Sequence, residues 1–197
     1  MAQARYDSVA QYYEGVMSPL QRWGLLKLRQ ETISQLPRGR ILEIGAGTGL
    51  NFVHYPSDAH GVATEFSREM LKIAGTKTRP EGVQLLQNRA EDLPFQNQSF
   101  DAAFATLVFC SVESPARAFA ELRRVVRPGG MVVLLEHVRP RGILGLFFDL
   151  LNVLTVPLFD DHVNRRTAKL VSEAGLEVID VKSRLLGIIN LIKCRVS

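Results

Sequence analysis

A glycine-rich turn is the feature that most constrains the fold. Glu43-Ile44-Gly45-Ala46-Gly47-Thr48-Gly49 follows a short apolar run that begins at Ile41. Glycine allows a tight turn and a close approach of the backbone to a ligand, because it has no Cβ. Leu50 breaks the dinucleotide pattern G-x-G-x-x-G, and no lysine follows to form a phosphate-binding P-loop. The spacing predicts a nucleoside-binding turn where the first strand meets the first helix.

Two acidic residues belong to this predicted site. Glu43 precedes the glycines, where its charge would repel a pyrophosphate but suits a cationic or amine-bearing ligand. Glu65 follows the second apolar run, Gly61–Thr64, where a carboxylate can accept hydrogen bonds from both ribose hydroxyls. A tight turn with incidental acidic neighbours is the alternative interpretation. The two features together favour a nucleoside site.

Short apolar runs alternate with helical patterns along the rest of the chain. Strands are expected over 41–44, 61–64, 83–86, 102–109, 131–138, 176–183 and 187–195, and helices over 20–36, 67–77, 115–126 and 165–174. Ser114 is the expected N-cap of the third of these helices. The alternation predicts an α/β, Rossmann-like doubly wound sheet of about seven strands, mostly parallel. No helix separates the last two strands, so we expect an antiparallel C-terminal hairpin.

The length of 197 residues fits one domain over 1–197. The composition, 46% hydrophobic with two cysteines and a net charge of +4, excludes a disordered chain and a disulfide scaffold. Both cysteines lie in apolar runs and predict buried thiols, and their spacing suggests no zinc site. No secretory signal is visible, so a cytoplasmic location is expected. Basic and aromatic residues do not interleave, so nucleic acid is not an expected partner.

The ordered motifs resemble those of class I S-adenosylmethionine-dependent methyltransferases. These motifs are EIGAGTG, then Glu65, AEDLPF at 90–95 and RPGG at 127–130, and the resemblance covers residues 5–195. YDSVAQYYEGVM and AEDLPF are similar to the ubiquinone/menaquinone C-methyltransferase branch. TLVFCSVESP and EHVRP are more similar to phospholipid N-methyltransferases and small-molecule thiol methyltransferases. The resemblance implies S-adenosylmethionine as cofactor and leaves the acceptor open.

The resemblance also implies a set of cofactor-binding residues. The loop residues Gly45, Ala46, Gly47, Thr48 and Gly49 would hold the methionine part, with Glu43 orienting its ammonium group. Glu65 would bind the ribose, Phe66 would pack on the adenine, Ala90 and Glu91 would border its edge, and Thr106 and Leu107 would close the pocket. Tyr6 and Tyr13 would cover the cofactor as a lid within an N-terminal helical cap over 1–36; ordinary helix packing is the alternative for both tyrosines.

One position departs from the family pattern. Many relatives have Asp or Asn where this chain has Arg89, and that side chain accepts a hydrogen bond from the adenine amino group. Arginine has only donors, so it cannot accept this bond. Either a neighbouring acceptor such as Asn88 or Asp92 replaces it, or cofactor affinity is reduced, or Arg89 points to solvent.

Candidates for the chemical step lie after the fifth strand and before the last helix. His137 and His162 are the candidate bases, because histidine titrates near neutrality and the carboxyl ends of parallel strands bind ligands. Glu136, Asn164 and Arg165 are expected to face the acceptor. A structural His137 and a capped helix start at Asn164 remain the alternatives. Cys110 is not expected to act as a nucleophile, since methyl transfer needs none.

An apolar stretch over 142–159 lies in an expected acceptor-cover insertion, 139–163. Asp149, Asn152 and Pro157 interrupt it, so a membrane-spanning helix is excluded. A buried cover with Phe147 and Phe148 against the acceptor, or peripheral membrane contact, are the two interpretations. Both favour methyl transfer to an apolar or lipid-like small molecule, a phospholipid amine first. The alternatives are a quinone carbon, an alkyl thiol, or a non-catalytic nucleoside-binding module.

Overall fold

The computed structural model describes residues 2–138 and 167–197. Seven strands form the sheet: β1 Arg40–Ile44, β2 His60–Glu65, β3 Val83–Gln87, β4 Phe100–Thr106, β5 Val126–His137, β6 Leu176–Arg184 and β7 Ile189–Val196. The α-helices of the described residues are α1 Ala2–Leu20, α2 Leu26–Ser34, α3 Arg68–Gly75, α4 Pro115–Val125 and α5 Thr167–Glu173. A π-helical segment Gln21–Leu25 and two 3-10 turns, Phe52–His54 and Leu185–Gly187, complete these elements.

The strands are ordered β3-β2-β1-β4-β5-β7-β6. β1 to β5 run parallel, and β7 pairs antiparallel with β5 on one side and β6 on the other. This confirms the predicted seven-stranded, mostly parallel sheet with an antiparallel C-terminal hairpin. The strand order reverses between β1 and β4, and ligands of open α/β sheets bind at the carboxyl ends of strands at such a reversal.

Residues alternate between the two faces of the sheet. In β4, Ala103 and Ala105 lie in the core under α4, while Phe104 lies in the core under α2. The same alternation in β1 brings Glu43 to the α2 face, and in β5 it brings Glu136 to the α4 face. The sheet is therefore covered on both faces, which explains its nearly continuous apolar strands.

The N-terminal region differs from its predicted structure. The helix expected over 20–36 begins at Ala2, is interrupted at Gly24, and resumes as α2. Gly24 has a φ of 121°, which is not helical. The sequence before residue 20 does not indicate a helix start at Ala2, because α1 exposes much of its surface and lacks a strong apolar periodicity.

The helix expected directly after the glycine turn is also absent from the structure. The chain forms turns and then the three-residue 3-10 turn Phe52–His54. Pro56 follows, and the residue before a proline favours extended backbone. Tyr55 accordingly has φ −67° and ψ 139°, so the helical turn ends there.

Two strand boundaries differ from their predicted positions, and one predicted helix cap lacks its side-chain hydrogen bond. β4 ends at Thr106 instead of continuing to Phe109, because Leu107 adopts a left-handed φ of 60° and the chain turns. β5 begins at Val126, five residues earlier than expected. Ser114 occupies the N-cap position of α4 as predicted, but its side chain makes no capping hydrogen bond.

Several predicted features lie outside the described residues. These are the acceptor-cover insertion over 139–163 and the residues Phe147, Phe148, His162, Asn164 and Arg165. Across residues 2–138 and 167–197, no helix combines the length and the apolar character that crossing a membrane requires.

Candidate active site

Two adjoining cavities lie at the carboxyl ends of the central strands. They share four lining residues, Gly45, Phe66, Val108 and Ser111. Of the predicted site residues, Ala90 and Glu91 line the first cavity, and Tyr6, Tyr13, Ala46, Gly47, Thr48, Glu65, Thr106, Leu107 and His137 line the second. Glu43, Gly49 and Glu136 line neither of the two. The fold thus brings most of the predicted residues together around one continuous cleft.

The glycine turn determines how close the loops can approach each other. Gly45 has a φ of 67°, and a Cβ at this position would lie 2.5 Å from Cγ2 of Val108. Val108 belongs to the turn that follows β4, so the two loops pack directly on each other. Gly47, with φ 57°, would have open space around a Cβ apart from Sδ of Met70 at 4.0 Å. The backbone at Gly47 therefore faces the cavity without an obstructing side chain.

Glu65 connects this turn to the second strand. Its Oε2 accepts a 2.8 Å hydrogen bond from the Gly47 amide, and its Oε1 accepts one of 2.8 Å from the Ser67 amide. Burial raises the pKa of Glu65, while these amides partly offset the shift. Each carboxylate oxygen has a second lone pair, so the group can also accept hydrogen bonds from a diol.

The first helix covers the cleft. Tyr6 contacts the Phe66 ring edge-on, with ring centroids 5.5 Å apart. Two polar contacts hold α1 beside α3. The Ser67 hydroxyl donates a hydrogen bond of 2.5 Å to Asp7, and the Lys77 ammonium lies 2.5 Å from the Glu14 carboxylate. This arrangement places Tyr6 against Phe66 at the cavity, and its predicted role as a lid over the cofactor stays a prediction.

Arg89 lines the first cavity and is also largely exposed to solvent, with 58% of its side chain accessible. Its Nη2 lies 2.5 Å from the Glu113 carboxylate and its Nε lies 3.7 Å from that of Glu91. Asn88 uses its side-chain amide nitrogen to donate to two backbone carbonyls, those of Arg89 and Asp92. The Asn88 carboxamide oxygen therefore points away from those two bonds and can serve as an acceptor in the same cavity.

Glu43 lies in a fully buried polar network behind the glycine turn. Asn51 donates to its Oε1 at 2.5 Å, and the Tyr55 hydroxyl donates to its Oε2. Burial raises the pKa of Glu43 to about 7, against the lowering effect of these two hydrogen bonds and of Arg29. The predicted contact of Glu43 with an ammonium group stays a prediction, since the cavity lining does not include it.

Arg29 is a site residue that the sequence analysis missed. It is 3% exposed, lines the second cavity, and donates through Nη1 to Asn51 at 2.9 Å and to Thr106 at 2.6 Å. A signal was present in the sequence: Leu25, Leu28, Arg29, Thr32 and Ile33 follow the spacing of a buried helical face. An arginine on an apolar face is rarely buried without a role.

The two residues at the end of β5 face opposite sides of the sheet. Glu136 is fully buried and accepts hydrogen bonds from the amides of Val108 at 3.1 Å and Phe109 at 3.2 Å. It holds the turn after β4, and its predicted contact with an acceptor stays a prediction. His137 lines the second cavity together with Thr106 and Leu107. Of this pair, His137 is the one placed to contact a ligand.

Comparison with known proteins identifies the family. The family described as "Methyltransferase domain" matches residues 42–134. Demethylmenaquinone methyltransferase of Renibacterium salmoninarum is 35% identical over 144 residues, which are 70% of this chain and 59% of that protein. Phosphatidylethanolamine N-methyltransferase of Cereibacter sphaeroides is 32% identical over 147 residues, 66% of this chain and 72% of that protein.

A solved structure shares the fold over the full length. The S-adenosylmethionine-dependent methyltransferase of Thermotoga maritima superposes with a TM-score of 0.72 at 23% identity, and the alignment covers 100% of both chains. The chain belongs to the S-adenosylmethionine-dependent methyltransferases, whose cofactor is S-adenosylmethionine. The chain spans about three fifths of the demethylmenaquinone methyltransferase that it matches.

The residues of the cleft fit this cofactor. Glu65 offers a buried carboxylate for a ribose diol, and Phe66 offers an aromatic face beside the first cavity. The open space over Gly47 leaves backbone accessible to a ligand. The residues that the resemblance assigns to the adenine, the ribose and the methionine part therefore line the same two cavities.

Proposed function

We propose that the protein transfers a methyl group from S-adenosylmethionine to an apolar, lipid-like molecule, with a phospholipid amine as the favoured acceptor. The observation that carries this proposal is the pair of adjoining faces on α1. Its inner face, with Tyr6, Tyr13 and Met17, lines the second cavity. Its outer face is the apolar stripe Val9, Tyr12, Val16 and Leu20, each at least 36% exposed.

The apolar stripe continues into the π-helical segment, where Trp23 is 83% exposed. Arg22 and Lys27, both exposed, flank this tryptophan. Exposed apolar side chains with neighbouring cations suit a surface of anionic lipid. Peripheral contact through this stripe would bring the opening of the cleft next to membrane lipids, which supports a lipid acceptor.

Methyl transfer to an amine requires that the acceptor be aligned with the methyl group, that water be excluded and that one group accept a proton. S-adenosylmethionine, when bound, supplies an electrophilic methyl group on a sulfonium, which is already a good leaving group. Met17, Leu50, Met70 and Leu107 give the second cavity apolar walls that exclude water and orient an acceptor. An ammonium acceptor must lose a proton before it can attack, and His137 in the same wall is the group we assign to receive it.

The relatives named above favour two acceptor classes. The phosphatidylethanolamine N-methyltransferase supports an amine, and it is the relative that the chain covers more fully. The demethylmenaquinone methyltransferase supports a quinone carbon. Membership of an enzyme family argues against a non-catalytic nucleoside-binding module.

The acceptor is tested with methyl-labelled S-adenosylmethionine and a panel of phosphatidylethanolamine vesicles, a demethylated quinol and an alkyl thiol. We expect label in the phospholipid headgroup. His137→Gln should lower kcat more than KM, and His60→Gln is the matched control because His60 is an exposed histidine at the start of β2. Label in the quinol or thiol alone would reject the phospholipid amine.

Membrane contact is tested by co-sedimentation with vesicles of phosphatidylethanolamine and phosphatidylglycerol. The double variant Val16→Asp, Trp23→Asp should lose most of its binding, because it places two charges in the apolar stripe. Val53→Asp is the matched control, since Val53 is 77% exposed on the 3-10 turn after the glycine loop. Equal sedimentation of the wild type and the folded double variant would rule out this surface.

A further inference from the structure

We propose that Arg29 forms an anion-binding site in the wall of the second cavity, where its guanidinium holds a carboxylate or phosphate oxygen of the bound ligand. The inference rests on the proposed function, because it assigns a chemical group to a residue of the same cleft. It adds a residue from α2, outside the ordered sequence motifs, to the cofactor and acceptor site.

The first argument is the burial of the guanidinium. Arg29 is 3% exposed and lies on the apolar face of α2 with Leu25, Leu28 and Ile33. An isolated charge is costly to bury unless it is paired or fully hydrogen-bonded. A cation in this position therefore needs compensation from its surroundings.

The surroundings compensate the charge only in part: Glu43 interacts with the guanidinium electrostatically, but through the bridging side chain of Asn51 and not by direct contact. Nη1 donates to the neutral side chains of Asn51 and Thr106. Within residues 2–138 and 167–197, Nε is buried and has no hydrogen-bond partner. Nor does the guanidinium form an ion pair with a carboxylate of these described segments. Arginine has five N–H donors in a fixed fork, and the Nε donor of this fork is therefore available to a ligand.

The second argument is position. Arg29 lines the second cavity together with the loop residues Ala46 and Thr48 and with His137. Thr106, which accepts the 2.6 Å bond from Nη1, is itself a lining residue. An anionic group in this cavity would complete the hydrogen bonding of the guanidinium and balance its charge. Arginine binds carboxylates and phosphates in a two-point geometry that a lysine cannot reproduce.

Two ligand groups have this chemistry. The amino-acid part of S-adenosylmethionine carries a carboxylate, and a phospholipid amine carries a phosphodiester two carbons from its nitrogen. Both place an anionic oxygen near the reacting methyl group. The site on the protein is the same for either, so the experiment separates the two sources.

The test uses isothermal titration calorimetry on the full chain and the variants Arg29→Gln and Arg29→Lys. The cofactor arm compares S-adenosylmethionine with its decarboxylated analogue, in the absence of any acceptor. The acceptor arm compares dihexanoyl phosphatidylethanolamine with hexylamine, in the presence of S-adenosylhomocysteine. Arg184→Gln is the matched control, because Arg184 contacts α2 through Glu31 at 2.8 Å and lines neither cavity.

If the carboxylate is the partner, Arg29→Gln should lower the affinity for S-adenosylmethionine by about tenfold or more, about 1.4 kcal/mol, and leave the affinity for the decarboxylated analogue unchanged. A phosphate partner predicts the same selective loss for phosphatidylethanolamine but not for hexylamine. If Arg29→Gln does not fold, the wild type alone decides: in at least one pair it should prefer the ligand that carries the carboxylate or phosphate over the counterpart that lacks this group. Equal affinities within both pairs of ligands would overturn the proposal.

The outcomes also separate this inference from the proposed acceptor. The cofactor arm contains no lipid. A loss of affinity for S-adenosylmethionine but not for its decarboxylated analogue therefore supports Arg29 as an anion-binding residue, even if no phospholipid is methylated. Methylation of phosphatidylethanolamine by a protein whose Arg29 variants bind all four ligands normally would support the acceptor and reject the role of Arg29.

Discussion

The amide of Gly47 donates a 2.8 Å hydrogen bond to the carboxylate of Glu65. This bond joins the turn after β1 to the end of β2, so the glycine turn and the carboxylate predicted to bind the ribose are held together without a ligand. The 2.8 Å bond from the Ser67 amide fixes the other carboxylate oxygen. The Glu65 side chain therefore connects the glycine turn, the end of β2 and the start of α3.

Glu65→Gln should lower the affinity for S-adenosylhomocysteine by about tenfold or more. A carboxamide has one oxygen and one NH2 group, so it cannot accept from both amides and from a diol. Equilibrium dialysis measures the loss. Glu177→Gln, at an exposed position in the edge strand β6, is the control and should bind as the wild type does. Affinity within about twofold of the wild type for Glu65→Gln would contradict the assignment of the ribose site.

Gly45→Ala should lower the free energy of unfolding by about 1–3 kcal/mol, because φ is 67° and the added Cβ would lie 2.5 Å from Val108. Cofactor affinity should fall with it, since the turn after β4 must move. Urea denaturation measures the stability.

Gly75→Ala is the matched control, because Gly75 ends α3 with open space around a Cβ and without a left-handed φ. It should be neutral or stabilise the protein by about 0.4–1 kcal/mol. Equal effects of the two substitutions would refute the strained, closely packed turn.

Local patterns in the sequence were sufficient to predict the sheet and to predict which of many residues line one cleft; the roles of these residues in binding stay predictions. The glycine spacing and the position of Glu65 after an apolar run placed these residues in one cleft. Arg29 was missed because its helix contributes no motif, and only its place on an apolar face signals it. The position of Glu136 at a strand end predicts contact with the acceptor, which stays a prediction; that its carboxylate accepts hydrogen bonds from the amides of Val108 and Phe109 depends on the turn after β4 and could not be read from local patterns.

Glu43 should make stability depend on pH. Burial raises its pKa to about 7 in the folded protein from 4.5, so the folded state binds the proton more tightly than the unfolded state. Stability from this group is fully present below pH 4.5 and is lost as pH rises through about 7. Relative to Glu43→Gln, the wild type should lose on the order of 1–3 kcal/mol between pH 5 and pH 8.

Urea denaturation at those two pH values, on the wild type and Glu43→Gln, measures the difference. The carboxamide keeps the acceptor for Asn51, and the Tyr55 hydroxyl can rotate to accept from the new NH2 group. Glu81→Gln, outside the network, should follow the wild type at both pH values. A constant difference between wild type and Glu43→Gln would show that Glu43 has no raised pKa.

Neighbouring tyrosines of α1 should separate cofactor binding from lipid binding. Tyr6→Ala removes the edge contact with Phe66 and should lower the affinity for S-adenosylhomocysteine severalfold, mainly because the ligand dissociates faster. Tyr12 is 65% exposed on the apolar stripe and is expected to contact lipid instead of the cofactor. Tyr12→Ala should leave cofactor affinity unchanged and reduce sedimentation with anionic vesicles. Stopped-flow dissociation and vesicle binding measure both effects, and a shared pattern for the two variants would reject the division of α1 into two faces.

The central claim is that the adjoining cavities form a single S-adenosylmethionine site. Isothermal titration calorimetry of the wild-type chain with S-adenosylmethionine tests it most directly. We predict saturable binding with one cofactor per chain and a dissociation constant below about 1 mM. The absence of any binding heat at millimolar cofactor, for a folded protein at several temperatures, would contradict it.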